Sequence, residues 1–131
     1  MPWSTKWSPD VPDAVFVSYS GVITSPELRE AVLAAVALGH EHHVMRYLAD
    51  ATAVSRVPGE LEMLALPAMM YDELGLERSE LRVAVVVPAA GQVREMTRFY
   101  ETACLNRGWK AKVFNAIDPA LVWLGVASGA V

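Results

Sequence analysis

The run LRVAVVVP at residues 81–88 restricts the possible folds of this chain more than any other stretch. Its apolar residues do not alternate with polar ones, so an extended strand here has two apolar faces. Such a strand is typical of the interior of a parallel sheet that is covered on both sides. The sequence therefore predicts a layered fold that contains this strand at its centre.

Three other strand-like runs lie along the chain, and helical patterns separate them. The runs are AVFVSYSGVIT, VMRYLAD and WKAKVFN. Helical patterns occupy residues 24–39, 60–75 and 89–108, and a last one begins near residue 118. This alternation is typical of an α/β domain with a mostly parallel sheet. We predict a single domain over residues 1–131, with four to five strands and about four helices.

The first two helical stretches carry recognisable signals at particular residues. Ser25 is a suitable N-cap because its hydroxyl can accept a free backbone N–H, and Pro26 suits the first helical position. Gly39 is a suitable left-handed stop. In the second stretch Pro67 removes one backbone donor and crowds the preceding turn, so we predict a kink there or two short helices.

Charge and composition exclude two classes of protein. The formal net charge is −4 with both signs interspersed, so the chain has no basic stripe for a nucleic acid. The longest apolar run, residues 31–38, is shorter than the ~20 residues of a membrane span. Hydrophobic residues nevertheless make up 53% of the chain, and we interpret this surplus as the interface of a homodimer.

The single cysteine and the first ten residues bear on the cellular compartment in which the protein resides. The stretch MPWSTKWSPD has no apolar core that a secretory signal would need. The single cysteine, Cys104, cannot form an internal disulfide, and its mid-helix position makes it a small core residue. We therefore expect a cytoplasmic protein.

The cluster HEHH at residues 40–43 is the first candidate site. On an extended chain His40 and His42 would point the same way and could supply two metal ligands, while His43 would face the other direction. However, the loop leads into the amino end of a strand, whereas ligand sites of parallel sheets lie at the carboxyl ends. We predict a cluster that stabilises the helix C-terminus, and no metal site.

A second candidate lies where the strand VMRYLAD is predicted to end. Asp50 would lie at the carboxyl edge of the sheet, with Thr52 and Ser55 in the following loop. A carboxylate there can act as a base or hold a ligand, but it can also accept the N–H groups of its own loop. Both interpretations remain open.

Other signatures of chemistry are missing. Residues 88–91 connect a strand to a helix but hold one glycine and no lysine, so they form neither a dinucleotide fingerprint nor a P-loop. No serine lies in a nucleophile elbow. We therefore predict no cofactor and no catalytic residues, and we regard an enzyme as the least supported function.

Three stretches resemble one known family. LRVAVVVP, NRGWKAKVFNAIDPALVWL and the YLAD that closes the second run resemble the SpoIIAA-like, STAS-type family of small bacterial domains over about residues 14–126. The resemblance implies successive β-α units with right-handed crossovers, which place their helices on one face of the sheet. The other face would then need a cover, either the N-terminal segment or a second subunit.

The resemblance also implies a kind of function. In the anti-sigma-antagonist relatives a serine in a D-S-x-G-like stretch is phosphorylated and the domain binds a kinase. Here the region reads DATAVSRVPGE, so that motif is absent. We predict a non-enzymatic, dimeric, cytosolic STAS-like module that binds a protein partner or a small ligand. Its functional edge would be bordered by four residues: Asp50, Thr52, Ser55 and Arg56.

A rival hypothesis is a carrier of an apolar small molecule or lipid. The fold is similar to lipid-carrying domains of the Sec14 type, and the second helical stretch carries Met63, Met69 and Met70 beside Pro67. Methionines adapt to irregular shapes, although they also fill ordinary cores. A sizeable cavity under that helix would favour the carrier, and a fully packed core would exclude it.

Overall fold

A computed structural model describes the backbone of residues 2–8, 14–74 and 81–125, and their side chains except for 69–74. The described residues form five strands and four helices. The strands are β1 (Trp3–Ser8), β2 (Ala14–Val22), β3 (Arg46–Arg56), β4 (Arg82–Val86) and β5 (Lys110–Phe114). The helices are α1 (Ser25–His42), α2 (Glu60–Leu74), α3 (Gln92–Asn106) and α4 (Ile117–Leu124). None of these helices is both long and apolar enough to cross a membrane.

The five strands form one sheet in chain order, β1-β2-β3-β4-β5. Strands β2 to β5 are parallel, and β1 joins the outer edge of β2 as an antiparallel strand. Val83 and Val85 of β4 are buried on one face of the sheet, and Ala84 and Val86 are buried on the other. The structure thus confirms the predicted α/β class, the mostly parallel sheet and a central strand buried on both faces.

The two faces of the sheet have different covers. Helices α1, α2 and α3 lie on the first face with the larger core, as right-handed crossovers require. Helix α4 lies on the second face over β3, β4 and β5, where Ala120 and Leu124 are buried. Of the two predicted covers, the N-terminal segment was wrong, because it forms the edge strand β1, and a second subunit stays a prediction. Among the described residues β5 is the last strand of the sheet, so α4 does not connect two strands and can pack on this face.

Helix α4 is fastened to the sheet through one arginine and two aromatic rings. The Arg82 guanidinium donates a hydrogen bond of 2.9 Å to the Trp123 carbonyl oxygen and lies 5.6 Å from the centre of the Trp123 ring. That ring also packs at a tilt on Phe114, with ring centres 5.8 Å apart. These contacts hold a short helix that buries only part of its surface.

The N-cap of helix α1 lies one residue before the predicted cap, Ser25, which is instead the first residue of the helix. Thr24 is the N-cap: its hydroxyl accepts from the Glu27 N–H, and the Glu27 carboxylate accepts from the Thr24 N–H at 3.0 Å. The Thr24 N–H and hydroxyl both donate to the Glu27 carboxylate, and these two hydrogen bonds lower the pKa of Glu27. The Ser25 hydroxyl instead donates to the Glu62 carboxylate and so links the start of α1 to the start of α2.

Gly39 does not stop α1, which continues to His42, and the predicted stop was wrong. The residue in the left-handed conformation is His43, with φ 57°. Gly39 is needed for a different reason, because Tyr47 packs directly against the helix there. A Cβ at position 39 would lie 2.1 Å from the Tyr47 hydroxyl oxygen.

Helix α2 is continuous and does not divide into two short helices at Pro67. Pro67 is fully buried, so its ring packs in the core. Because proline has no N–H, the carbonyl of Met63 lacks its helical donor. The buried Pro67 ring gains apolar contacts that offset the missing hydrogen bond, and the helix continues through this residue.

Replacing Gly39 tests the close approach of Tyr47. Gly39→Ala should lower the free energy of unfolding by about 1–3 kcal/mol, because the new methyl group displaces a buried ring. Urea denaturation measures the change. Gly59→Ala is the matched control, since a Cβ there meets only the end of the Glu62 side chain at 3.9 Å. Equal stability of the parent and Gly39→Ala would contradict the assignment.

Candidate functional site

Asp50 lies in the middle of β3, which continues to Arg56, so the prediction that the strand ends at Asp50 was wrong. Asp50 pairs with Val86, the last residue of β4. Beyond that point β3 pairs only with β2, and the register shifts: Ser18 pairs with Asp50, but Ser20 pairs with Ala53. This shift is a β-bulge, in which two residues of β3 oppose one residue of β2.

The Asp50 carboxylate is used by its own strand. Its Oδ1 accepts hydrogen bonds from the Thr52 N–H at 3.0 Å and from the Thr52 hydroxyl at 2.7 Å. Both bonds span the bulge, where Thr52 has no paired residue in β2. The structure shows Asp50 bound to its own chain, and its role at a binding edge stays a prediction.

The other predicted edge residues remain accessible. Thr52, Ser55 and Arg56 are exposed along the part of β3 that extends past β4. The chain just after them is clamped by Gln92 at the start of α3. The Gln92 side chain accepts from the Val57 N–H at 3.0 Å and donates to the Val57 carbonyl at 2.8 Å. The structure brings Asp50 and Thr52 together, but it does not bring Ser55 and Arg56 into one pocket with them.

The histidine cluster is helical, so the expected extended geometry was wrong. His40 and His42 lie in the last turn of α1, where residues two apart point to different sides. The His42 ring stacks on Trp7 of β1, with ring centres 3.7 Å apart and planes 8° apart. Its Nε2 lies 3.3 Å from the Glu41 carboxylate. Within the described residues, no three potential ligands come together around a metal position.

A cavity of about 90 Å³ lies inside the larger core, between the sheet and helices α1, α2 and α3. It is only partly enclosed. Almost all the described side chains around it are apolar. They include Val17, Ala49, Ala51, Val83 and Val85 from the sheet, Leu28, Val32 and Val36 from α1, and Met63 and Leu66 from α2.

The cavity follows from the position of α2 and from short side chains beneath it. Helix α2 packs mainly along α3 and more loosely on α1. Underneath, the face of β3 that points into the core carries Ala49 and Ala51, which are too short to fill the gap. The carrier hypothesis had placed a cavity under the methionine-rich helical stretch, and Met63 of α2 does line the cavity. The side chains of Met69 and Met70 lie outside the described residues. The two alanines in YLADATAV are a sequence signal that was missed.

Three tyrosines bring polar atoms to the cavity wall. Tyr47 donates to the Val44 carbonyl at 3.4 Å, and burial raises its pKa to about 12. Tyr100 hydrogen-bonds with the Cys104 thiol, and burial raises the pKa of Tyr100 well above its ordinary value. Burial also raises the pKa of Tyr19. All three phenols are therefore neutral at physiological pH.

Cys104 lies behind the cavity wall as a buried free thiol. Burial raises its pKa to about 12, and this effect outweighs the hydrogen bond from Tyr100, which lowers the pKa. The reactive thiolate is therefore almost absent at neutral pH. This agrees with the prediction that Cys104 is a core residue.

The rate at which Cys104 is alkylated tests whether its thiol is buried and protonated. Native protein at pH 8 should react with iodoacetamide much more slowly than a free cysteine does, because both the raised pKa and the surrounding core oppose attack. Unfolding in urea at the same pH should restore ordinary reactivity, as mass spectrometry of the alkylated chain would show. Rapid alkylation of the folded protein would contradict a buried, protonated Cys104.

No protein-family model matches the chain, and no curated protein matches its sequence. A solved structure does match, with a TM-score of 0.59 and 18% sequence identity over 93% of each chain. It is the crystal structure of an uncharacterized protein from the DUF3478 family with a SpoIIAA-like fold, from Shewanella loihica PV-4. A likeness at this identity concerns the fold alone. The chain therefore has a SpoIIAA-like fold, as its resemblance to that family implied.

Proposed function

We propose that the protein is a non-enzymatic binding module that holds a small apolar molecule in the cavity beneath α2. The observation that carries this proposal is the cavity itself, an apolar and partly enclosed space inside the core. Well-packed interiors contain few voids larger than a water molecule. A dry apolar space has no polar partners for water, and burial of a ligand's hydrocarbon surface there is favourable.

The cavity volume limits the ligand. An engineered apolar cavity of about 150 Å³ binds benzene. At about 90 Å³ the present cavity suits a single small ring or a short alkyl segment, with any remainder of the ligand in the opening. We therefore propose a ligand much smaller than a membrane lipid. Of the two cargoes in the carrier hypothesis, this favours an apolar small molecule over a lipid.

Two features support a role without catalysis. The nucleophile nearest the cavity, Cys104, is protonated and buried. The carboxylate that was a candidate base, Asp50, already accepts two hydrogen bonds from Thr52. Neither Cys104 nor Asp50 is among the described residues that line the cavity.

Binding of fluorobenzene, followed by ¹⁹F NMR, tests the proposal. The parent protein should bind it saturably, and Ala49→Leu should weaken binding by about tenfold or more, because the added side chain occupies the cavity. Ala37→Leu is the matched control, since Ala37 is exposed on α1 and lies outside the cavity wall. No saturable binding by the parent, or equal binding by parent and Ala49→Leu, would overturn the proposed function.

We also propose that the exposed edge formed by Thr52, Ser55 and Arg56 contacts a protein partner. The observation that supports it is the extension of β3 past the end of β4, which leaves these side chains accessible. In this proposal Asp50 borders the edge and maintains its shape through Thr52.

A charge reversal at Arg56 tests the edge. If the edge binds a partner, immobilised parent protein should retain a protein from bacterial lysate that the Arg56→Glu variant loses, as mass spectrometry of the eluates would show. Arg98→Glu, an exposed charge reversal on α3, should retain it. Identical sets of proteins on parent and Arg56→Glu would contradict the edge assignment.

We further expect a homodimer in the bacterial cytosol. The large apolar side chain of Leu61 on α2 is 81% exposed, and a second subunit would bury such surface. The free thiol of Cys104 is compatible with a reducing compartment.

A further inference from the structure

The wall of the cavity carries no charge among its described residues. Among the described wall residues, four carry a side-chain oxygen: Tyr19, Tyr47, Thr97 and Tyr100. An ionised group moved from water into such a space loses its hydration and finds no opposite charge. The site therefore selects against a carboxylate, a phosphate or an ammonium group inside the cavity.

Three of the four side-chain oxygens already have partners. The Tyr47 hydroxyl donates to Val44, and the Thr97 hydroxyl donates to the Val93 carbonyl at 2.6 Å. Tyr100 is bonded to the Cys104 thiol. A ligand that competed for these groups would have to break an existing hydrogen bond.

Tyr19 differs from the other three. Within the described part of the chain its hydroxyl forms no hydrogen bond, although the ring lies in the cavity wall and close enough to Tyr100 for the two phenols to interact electrostatically. Desolvation of the phenol raises its pKa, although the side chain keeps some exposure to solvent. Among the described wall residues, the Tyr19 hydroxyl is therefore the oxygen that can bind a ligand's polar group without breaking a hydrogen bond.

The backbone explains why Tyr19 holds this position. Ser18 pairs with Asp50 and Ser20 pairs with Ala53, so Tyr19 lies opposite the bulge of β3. Bulges redirect side chains and are frequent beside functional sites. The hydrogen bonds from Thr52 to Asp50 hold this bulge, which connects the predicted edge residue Asp50 to the cavity.

We propose that the ligand is an uncharged molecule with one hydrogen-bonding group, and that the Tyr19 hydroxyl binds this group. The inference rests on the proposed function and names the ligand class for the same cavity. Small phenols, alcohols, aldehydes and ketones have the required combination of a hydrocarbon body and one polar atom. The hydroxyl orients the ligand, and the apolar wall provides most of its affinity.

Phenol and toluene are a matched pair of probes, because they differ by one hydroxyl in place of a methyl group. Their dissociation constants for parent, Tyr19→Phe and Tyr47→Phe can be measured by NMR titration at pH 7. The ratio Kd(toluene)/Kd(phenol) should be about fivefold higher for the parent than for Tyr19→Phe, the factor expected of about 1 kcal/mol for one hydrogen bond. Tyr47→Phe should leave the ratio unchanged, since that hydroxyl is already bonded to Val44.

The outcomes separate the two proposals. If neither probe binds the parent, the proposed function fails. If both bind but Tyr19→Phe keeps the parent's ratio, the function stands and the role of Tyr19 is overturned. Benzoate that binds the parent as tightly as phenol would overturn the selection against charge.

A second measurement does not depend on the folding of a variant. In parent protein with ¹³C-labelled tyrosine, phenol should shift the Cζ resonance of Tyr19 more than toluene does, because only phenol can bond to the hydroxyl. The Cζ resonance of Tyr47 should respond equally to the two probes. Equal shifts at Tyr19 would overturn the proposal.

Discussion

The burial of β4 on both faces is the constraint on which the rest of the structure depends. Ala84 and Val86 are as inaccessible as Val83 and Val85, so the strand is stable only between two covering layers. Right-handed crossovers bring α1, α2 and α3 to one side. The other side is covered by α4, which Arg82 holds through the Trp123 carbonyl and ring.

The larger of the two layers is also where packing is incomplete. Helix α2 packs mainly against α3. Beneath it, β3 carries Ala49 and Ala51 where β4 carries the larger Val83 and Val85. The same three-helix layer that stabilises the sheet therefore encloses the cavity. The cavity is lined mostly by residues of the core that stabilises the sheet, which explains why its wall is almost wholly apolar.

Patterns that span many residues predicted the fold correctly. Predictions from a single residue gave the wrong end for α1, at Gly39, and for β3, at Asp50. The doubly apolar run at 81–88 identified β4, and the alternation of elements identified the sheet. Gly39 was misread because its role depends on Tyr47, which reaches it from the next strand. Asp50 was placed at a strand end because the bulge forms only when β3 pairs with β2. The cavity could not be predicted either, since it depends on the distance between α2 and the sheet.

The position of α2 has a consequence for how such a protein can diversify. Met63 and Leu66 line the cavity from α2, so they take no part in the strand pairing that forms the sheet. Substitutions there can change the shape of the cavity while the strand register stays the same. The α2 side of the cavity can therefore diverge among proteins that share this sheet, without any change in the strand pairing that defines the fold.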